Sequence, residues 1–317
     1  MMKKNCKAMK LRSWAWIIIL IAGISQSAIG QQDPQYSMHM LNGMSIHPAY
    51  AGSLGGLSAN VLYRNQWVGF EGAPKTVSAN AQLRYFRDQL GTGVSVFNDK
   101  IGVFNRSAFN VAQAYHLRID QLTVAFGMQA SFEQFAARLT DVNPVLIGDD
   151  KFAGNISKSV MNFGAGLFVY SDKFWFGASM PHFLKSKWEI VDGSNSYLSN
   201  HVFISGGGVL GVGVVQVKPS MMLKKSAVWD KTVNAPMQFE FGCSVYAMSK
   251  FGLGINYRLG DAIIYLAEFQ INDSFKVAYG YDQTTSNLRR YSSGTHEILL
   301  RYTFNNGGKA ISSPRLF

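Results

Sequence analysis

The sequence predicts an all-β protein: an antiparallel transmembrane outer-membrane β-barrel of about 14 strands, with an N-terminal signal peptide. Two observations carry this, a two-residue hydrophobic rhythm along almost the whole chain and an export-type amino terminus. Over 122–132, Leu122, Val124, Phe126, Met128, Ala130 and Phe132 share one face, and Thr123, Ala125, Gly127, Gln129 and Ser131 share the other. Strand side chains alternate in direction, so the segment has one greasy face and one small or polar face. Phe251, Leu253, Ile255 and Tyr257 alternate in the same way with Gly252, Gly254, Asn256 and Arg258. Ile263, Tyr265, Ala267, Phe269 and Ile271 do so with Ile264, Leu266, Glu268 and Gln270. Alternating segments of about ten residues, separated by turns, are the pattern of a barrel that crosses a membrane.

The first element, 1–30, reads as a secretory signal peptide. Lys3, Lys4, Lys7, Lys10 and Arg12 form a basic region, 14–24 is apolar, and Ala28 and Gly30 place small residues at a cleavage site before Gln31. An uncleaved anchor helix would need about 20 apolar residues. Cys6 precedes the apolar run, which is not the position of a lipoprotein cysteine. Only Cys243 remains after cleavage, so no intramolecular disulfide is expected; Phe241 and Val245 share its lipid-side face. Removing the five basic residues of the leader leaves 25 basic against 19 acidic residues, a net +6. These charges are scattered, whereas nucleic-acid binding needs a clustered basic face, so no nucleic-acid partner is expected. Lys224-Lys225 and Arg289-Arg290 fall in predicted loops, as solvated charge or as contacts for anionic head groups or an acidic partner. The mature chain has no apolar helical run of about 18 residues, so the export signal and the strand rhythm together point to the bacterial outer membrane and its lipid.

The strands are read at 57–67, 75–86, 91–98, 107–118, 121–132, 159–170, 174–181, 200–208, 211–221, 237–247, 250–258, 262–271, 274–281 and 294–304. Connections after the second, fourth, sixth, eighth, tenth and twelfth strands are short; 133–158, 182–199 and 222–236 are long. Barrels pair short periplasmic turns with longer extracellular loops, which places both termini on the periplasmic side; 259–261 is a short outer turn against this trend. Closure explains stability in lipid, because an open edge would strand backbone N–H and C=O groups in hydrocarbon. The last strand alternates His296, Ile298, Leu300, Tyr302 and Phe304 with Glu297, Leu299, Arg301 and Thr303, and Tyr302 and Phe304 suit an interfacial girdle. A barrel of about 14 strands encloses more space than its own side chains fill, and Gly164, Gly166, Gly252 and Gly254 leave room on inner faces. The domain reading is 1–30 signal peptide, 31–56 periplasmic N-terminal segment, 57–304 barrel and 305–317 C-terminal tail. Residues 31–56 are either a plug in the periplasmic mouth or a disordered leader; Tyr36, Met38, Met40, Leu41 and Tyr50 are more apolar than disorder prefers.

Chemical motifs are mostly negative. The stretch Gly206-Gly207-Gly208-Val209-Leu210-Gly211 matches a nucleotide-binding pattern, but a strand follows it, so a glycine hairpin turn is the reading. His39, His47, His116, His182, His201 and His296 lack zinc-type spacing. Asp149-Asp150 alone is too few oxygen ligands for calcium. No cofactor, metal or catalytic residue is assigned and no enzyme is expected, although a lumenal Ser with His and an acid, as in an outer-membrane lipase, stays open as an alternative.

Five stretches carry a resemblance: Asp33-Pro34-Gln35-Tyr36-Ser37, His47-Pro48-Ala49-Tyr50-Ala51-Gly52, Tyr63-Arg64-Asn65-Gln66-Trp67, Gly72-Ala73-Pro74-Lys75-Thr76 and His296-Glu297-Ile298-Leu299-Leu300-Arg301-Tyr302. Together they resemble the PorP/SprF family of type IX secretion system membrane proteins. The resemblance covers the mature chain and is specific at its beginning; His47 stands where the family usually has Asn. It implies an outer-membrane component or accessory of protein secretion that supports export or surface attachment of a large adhesin-like protein with a C-terminal sorting domain, in gliding or secreting Bacteroidetes-type bacteria. Periplasmic secretion components are implied as further partners. Pro48 and Gly52 would shape a turn into strand one, Arg64 would face the lumen if Tyr63 faces lipid, and Trp67 would sit at the interface. For these positions a structural role stands level with direct partner contact. The rival functions are a channel for small solutes and an outer-membrane enzyme.

Overall fold

The computed structural model describes residues 34–141, 154–184, 186–188, 196–198, 200–211, 214–226 and 237–304. The expected signal peptide at 1–30, the expected tail at 305–317 and Asp149-Asp150 lie outside the described residues.

Fourteen strands close into one antiparallel barrel. In chain order they are β1 (Leu57–Asn65), β2 (Lys75–Tyr85), β3 (Leu90–Ile101), β4 (Phe104–Ile119), β5 (Leu122–Ala137), β6 (Ile156–Tyr170) and β7 (Phe174–Met180), then β10 (His201–Gly208), β11 (Val215–Ser226), β12 (Gln238–Ala247), β13 (Phe251–Arg258), β14 (Ala262–Gln270), β15 (Phe275–Thr284) and β16 (Thr295–Phe304). Between β7 and β10, β8 (Ser186–Trp188) and β9 (Ser196–Leu198) pair as a small separate hairpin, in a stretch read from sequence as loop.

Each barrel strand pairs with its neighbours in the wall, and β1 pairs with β16 to close the ring. Across that seam Val61 faces Leu300, Arg64 faces Glu297 and Asn60 faces Arg301. The outer face is apolar: Val61, Phe126, Met128, Leu253 and Leu300 are all exposed there. Aromatic rings gather near both rims of the outer face. Phe275 and Tyr302 lie 4.9 Å apart at one rim, and Tyr281 and His296 lie 5.3 Å apart towards the other. This is how a barrel meets the two interfaces of a bilayer.

The rims differ. One carries tight turns that force left-handed backbone on non-glycine residues, at Phe86, Arg87, Asp88, Asp120, Met248 and Ser249. The other carries most of the long connections. Two short hairpins stand at that rim as well: 259–261, as expected, and Gly102-Val103, which the sequence reading placed in a longer connection. Strands β3 and β4 continue to that turn because Asp99 faces Arg106 across the pair. Lys224 and Lys225, expected in a loop, belong to β11, and Lys224 is buried. Gly206, Gly207 and Gly208 belong to β10, as the strand reading 200–208 placed them, and Gly211 takes the turn conformation, with φ +106°. A Cβ on Gly207 would come within 2.9 Å of the Trp175 indole nitrogen, so ring space, not turning, is what that glycine provides.

Residues 34–56 run the length of the lumen. Pro34 and Gln35 line a cavity with Trp67, Leu259 and Gly260 at the rim of long connections. At the opposite rim the Gly56 carbonyl accepts from the Arg84 N–H, and β1 begins beside the end of β16. Pro34 and Phe304, the first and last described residues, therefore stand at opposite rims, because the segment before β1 crosses the barrel before β1 crosses back. The termini expected on the periplasmic side lie outside the described residues. The crossing is testable with Cys243→Ser as background. Pro34→Cys should react with an impermeant maleimide on intact cells in step with Ser293→Cys, at the long-connection rim. Reaction only after permeabilisation, in step with Asp120→Cys at the other rim, would refute the crossing.

Candidate functional site

The inward faces of the strands carry small and polar residues, and the segment 34–56 is bonded to them along its length. Its first part meets a network of buried charges. Arg64 reaches Glu297 at 2.7 Å and Asp282 at 2.9 Å. Arg258 reaches Glu240 at 2.9 Å and Asp282 at 3.4 Å. Ser37 sits among them: its hydroxyl donates to Asp282 at 2.6 Å and accepts from Arg64 at 2.9 Å and Arg258 at 3.2 Å. The Ser37 and Met38 amides donate to the two oxygens of Glu297 at 3.0 and 2.8 Å, and His39 Nε2 lies 3.1 Å from Glu240. Charges this deep are tolerated only when paired and hydrogen-bonded; removing one partner typically costs about 3–5 kcal/mol.

Further along, the Leu41 carbonyl accepts from Arg301, which also donates to Asn60 Oδ1 at 2.9 Å. Asn80 donates to Asn42 at 2.6 Å, and Ser179 donates to the Ile46 carbonyl at 2.6 Å. Met38 and Leu41 pack with Leu62, Ile264 and Leu299. Met44, Tyr50 and Leu54 pack with Ala112, Phe168 and Tyr170. Beside the segment, a cavity of about 50 Å³ is lined by Asn42, Ser78 and Asn110 together with Met44, Ile46 and Phe97, which is room for about one or two waters.

The motif His47–Gly52 lies in the lumen. His47 Nε2 is 2.6 Å from the Ser205 hydroxyl. Pro48 opens a 3-10 turn, Pro48–Tyr50, where a missing N–H costs nothing. Ala49 is fully buried, and Tyr50 meets Phe168 edge-on at 5.1 Å. The Ala51 carbonyl accepts from His116 at 2.8 Å, and Gly52, at φ +78°, donates its N–H to Gln82 at 2.8 Å. Two wall glycines make this approach possible. A Cβ on Gly127 would collide with the Ala49 backbone, and one on Gly91 with the Ala51 carbonyl. Gly127→Ala should therefore lower stability by about 1–3 kcal/mol through overpacking, read as a lower unfolding midpoint in detergent. Gly154→Ala, with open space around its Cβ, should leave the midpoint unchanged.

The other motif positions stand at the long-connection rim. Arg64 belongs to the charge network. Gln66 donates its amide to the Pro74 carbonyl at 2.9 Å, and the Trp67 amide donates to Thr295 Oγ1 at 3.1 Å. Gly72, at φ +73°, accepts at its carbonyl from the Gly102 amide at 2.9 Å. Gln66, Trp67 and Pro74 line a vestibule of about 630 Å³. Its floor includes Pro34 and Gln35, and its walls mix Phe104, Phe135 and Met237 with Asp99, Arg106 and Lys224. The structure thus divides the motif residues into a lumenal group and a rim group, joined through Ser37 and Arg64. Sequence reading missed Ser205, Glu240 and Asp282; their one signal is polarity at inward positions of an alternating strand.

The Ser205–His47 pair does not form a nucleophilic relay. His47 Nδ1 has no hydrogen-bond partner to orient or charge the ring. Among the described residues, no group of three or more His, Cys, Asp or Glu side chains is arranged to hold a metal ion.

Comparison with known proteins adds the following. Residues 28–302 match the family described as type IX secretion system membrane protein PorP/SprF. No protein of curated function matches significantly. Among solved structures, the chain is similar to Omp33, an Acinetobacter baumannii outer membrane protein, at 9% identity over 78% of this chain and 98% of that one, with a TM-score of 0.46. It is similar to a Pseudomonas aeruginosa FadL homologue at 10% identity over 88% and 96%, TM-score 0.44. The CymD monoaromatic hydrocarbon channel is 12% identical over 89% and 95%, TM-score 0.43.

Proposed function

The chain belongs to the PorP/SprF family of type IX secretion system membrane proteins, and from that membership and the filled lumen we propose that it acts by binding a secreted protein. It is an outer-membrane component of that system. The client is a large adhesin-like protein with a C-terminal sorting domain, whose export or attachment at the cell surface the barrel supports. Signal cleavage before Gln31 releases the mature chain; the short turns face the periplasm and its secretion components, and the vestibule faces outward. No bond is made or broken.

The observation that carries this reading is the segment 34–56 bonded across the lumen from rim to rim, with the vestibule above it. A conducting channel would need a continuous water path, whereas the motif residues here serve to seat a segment of the chain itself. Loops held rigidly by a barrel are suited to recognition, and the vestibule offers aromatic, aliphatic and charged contacts side by side. Two measurements test the proposal. Purified barrel in planar bilayers should show no steady ion conductance, and the tagged protein extracted from its host should co-purify a large protein bearing a C-terminal sorting domain. Steady conductance with no co-purifying client would favour a solute channel. Recovery of periplasmic secretion proteins alone would move the protein into the core machinery.

A further inference from the structure

The closing seam is where the ends of the barrel meet, and the lumenal segment is bonded to both inward pairs that span its middle. Arg64 and Glu297 are register partners across β1 and β16, yet 233 residues apart in sequence. Ser37 bonds to both of them, and Met38 to Glu297. Asn60 and Arg301 are the next inward polar pair, and Arg301 also holds the Leu41 carbonyl. Between these pairs, Leu62 and Leu299 face each other fully buried, with Met38 and Leu41 in the same cluster. The segment also binds Asp282 on β15 and Glu240 on β12. It is therefore docked on the last strands of the chain while being contiguous with the first.

That arrangement has a consequence for assembly. Pairing β1 with β16 closes a loop of most of the chain, and the entropy of that closure must be met before the pairing returns anything. A segment attached directly to β1 that binds β12, β15 and β16 raises the effective concentration of β1 at its partner. It also supplies two N–H donors to Glu297, a carboxylate with no exposure in the finished wall. We infer that residues 34–56 are a closing strap, seated on the C-terminal strands before β1 and β16 join, so that the barrel closes around a segment already in place.

The test uses the full mature chain refolded into detergent micelles, with Cys243→Ser and a reporter pair, Val61→Cys and Leu300→Cys. These two are lipid-facing register partners, at a separation antiparallel neighbours allow a disulfide to span. The rate of reporter oxidation during refolding reads seam closure. Ser37→Ala with His39→Ala removes the strap's side-chain bonds to Asp282 and Glu240 and leaves Arg64 facing Glu297. It should slow closure at least about tenfold, the rate equivalent of a lost charge-assisted hydrogen bond. Ser179→Ala with Ser205→Ala removes the same segment's hydrogen bonds to β7 and β10 and should leave the closure rate at the parent value. Should the strap variant fail to fold, oxidising the seam pair beforehand in denaturant should restore folding, and a control pair at Leu253→Cys and Ala267→Cys should not. Parent-rate closure in the strap variant, equal slowing by both variants, or no rescue by the seam disulfide would each overturn the inference.

Discussion

A β-sheet immersed in hydrocarbon cannot keep an edge, and the meeting of β1 with β16 is where this protein satisfies that constraint. Every N–H and C=O left unpaired there would cost several kcal/mol. Closure therefore fixes the number of strands and the alternation along them. It also creates a lumen wider than the wall side chains alone fill. The inward face is polar because it does not meet lipid, and it is crowded because a second piece of chain lies against it. The charge pairs Arg64–Glu297 and Arg258–Glu240 and the apolar cluster around Leu62 and Leu299 are two ways of filling that space.

The lumenal segment turns a hollow wall into a packed interior. Its backbone has no sheet or long helix of its own, so its N–H and C=O groups need partners from the wall. Glu297, Gln82, His116, Ser179 and Arg301 provide them from four different strands. Glycines at 91 and 127 complete the fit, since only a residue without Cβ lets two backbones come this close. The same inward positions that an open porin would present to water are here committed to the protein's own chain.

Function follows from what is left uncommitted. The outer wall belongs to lipid and the middle of the lumen to the segment 34–56. The vestibule remains, with the 66–74 loop beside it and the start of the described chain beneath it. Under the proposed function, that rigid, chemically mixed surface at the mouth is where a client would be engaged.

What the sequence determined by itself was local. Alternation along each strand told which residues face lipid: Tyr63 outward and Arg64 inward, Leu300 outward and Glu297 inward. The even strand count and most turns followed, because periodicity and turn chemistry are properties of neighbours in the chain. The errors came where a local signal had a distant cause. Lys224 resembled loop charge but lies buried in β11; 99–106 resembled a connection but continues the β3–β4 ladder as far as Ile101 and Phe104. Only the tertiary structure decided that Ser37 meets Arg64, Asp282 and Glu297, and that the chain crosses the lumen before β1. The contacts with Asp282 and Glu297 join residues more than 200 positions apart, and which inward side chains meet is set by barrel closure and register, which no local pattern encodes.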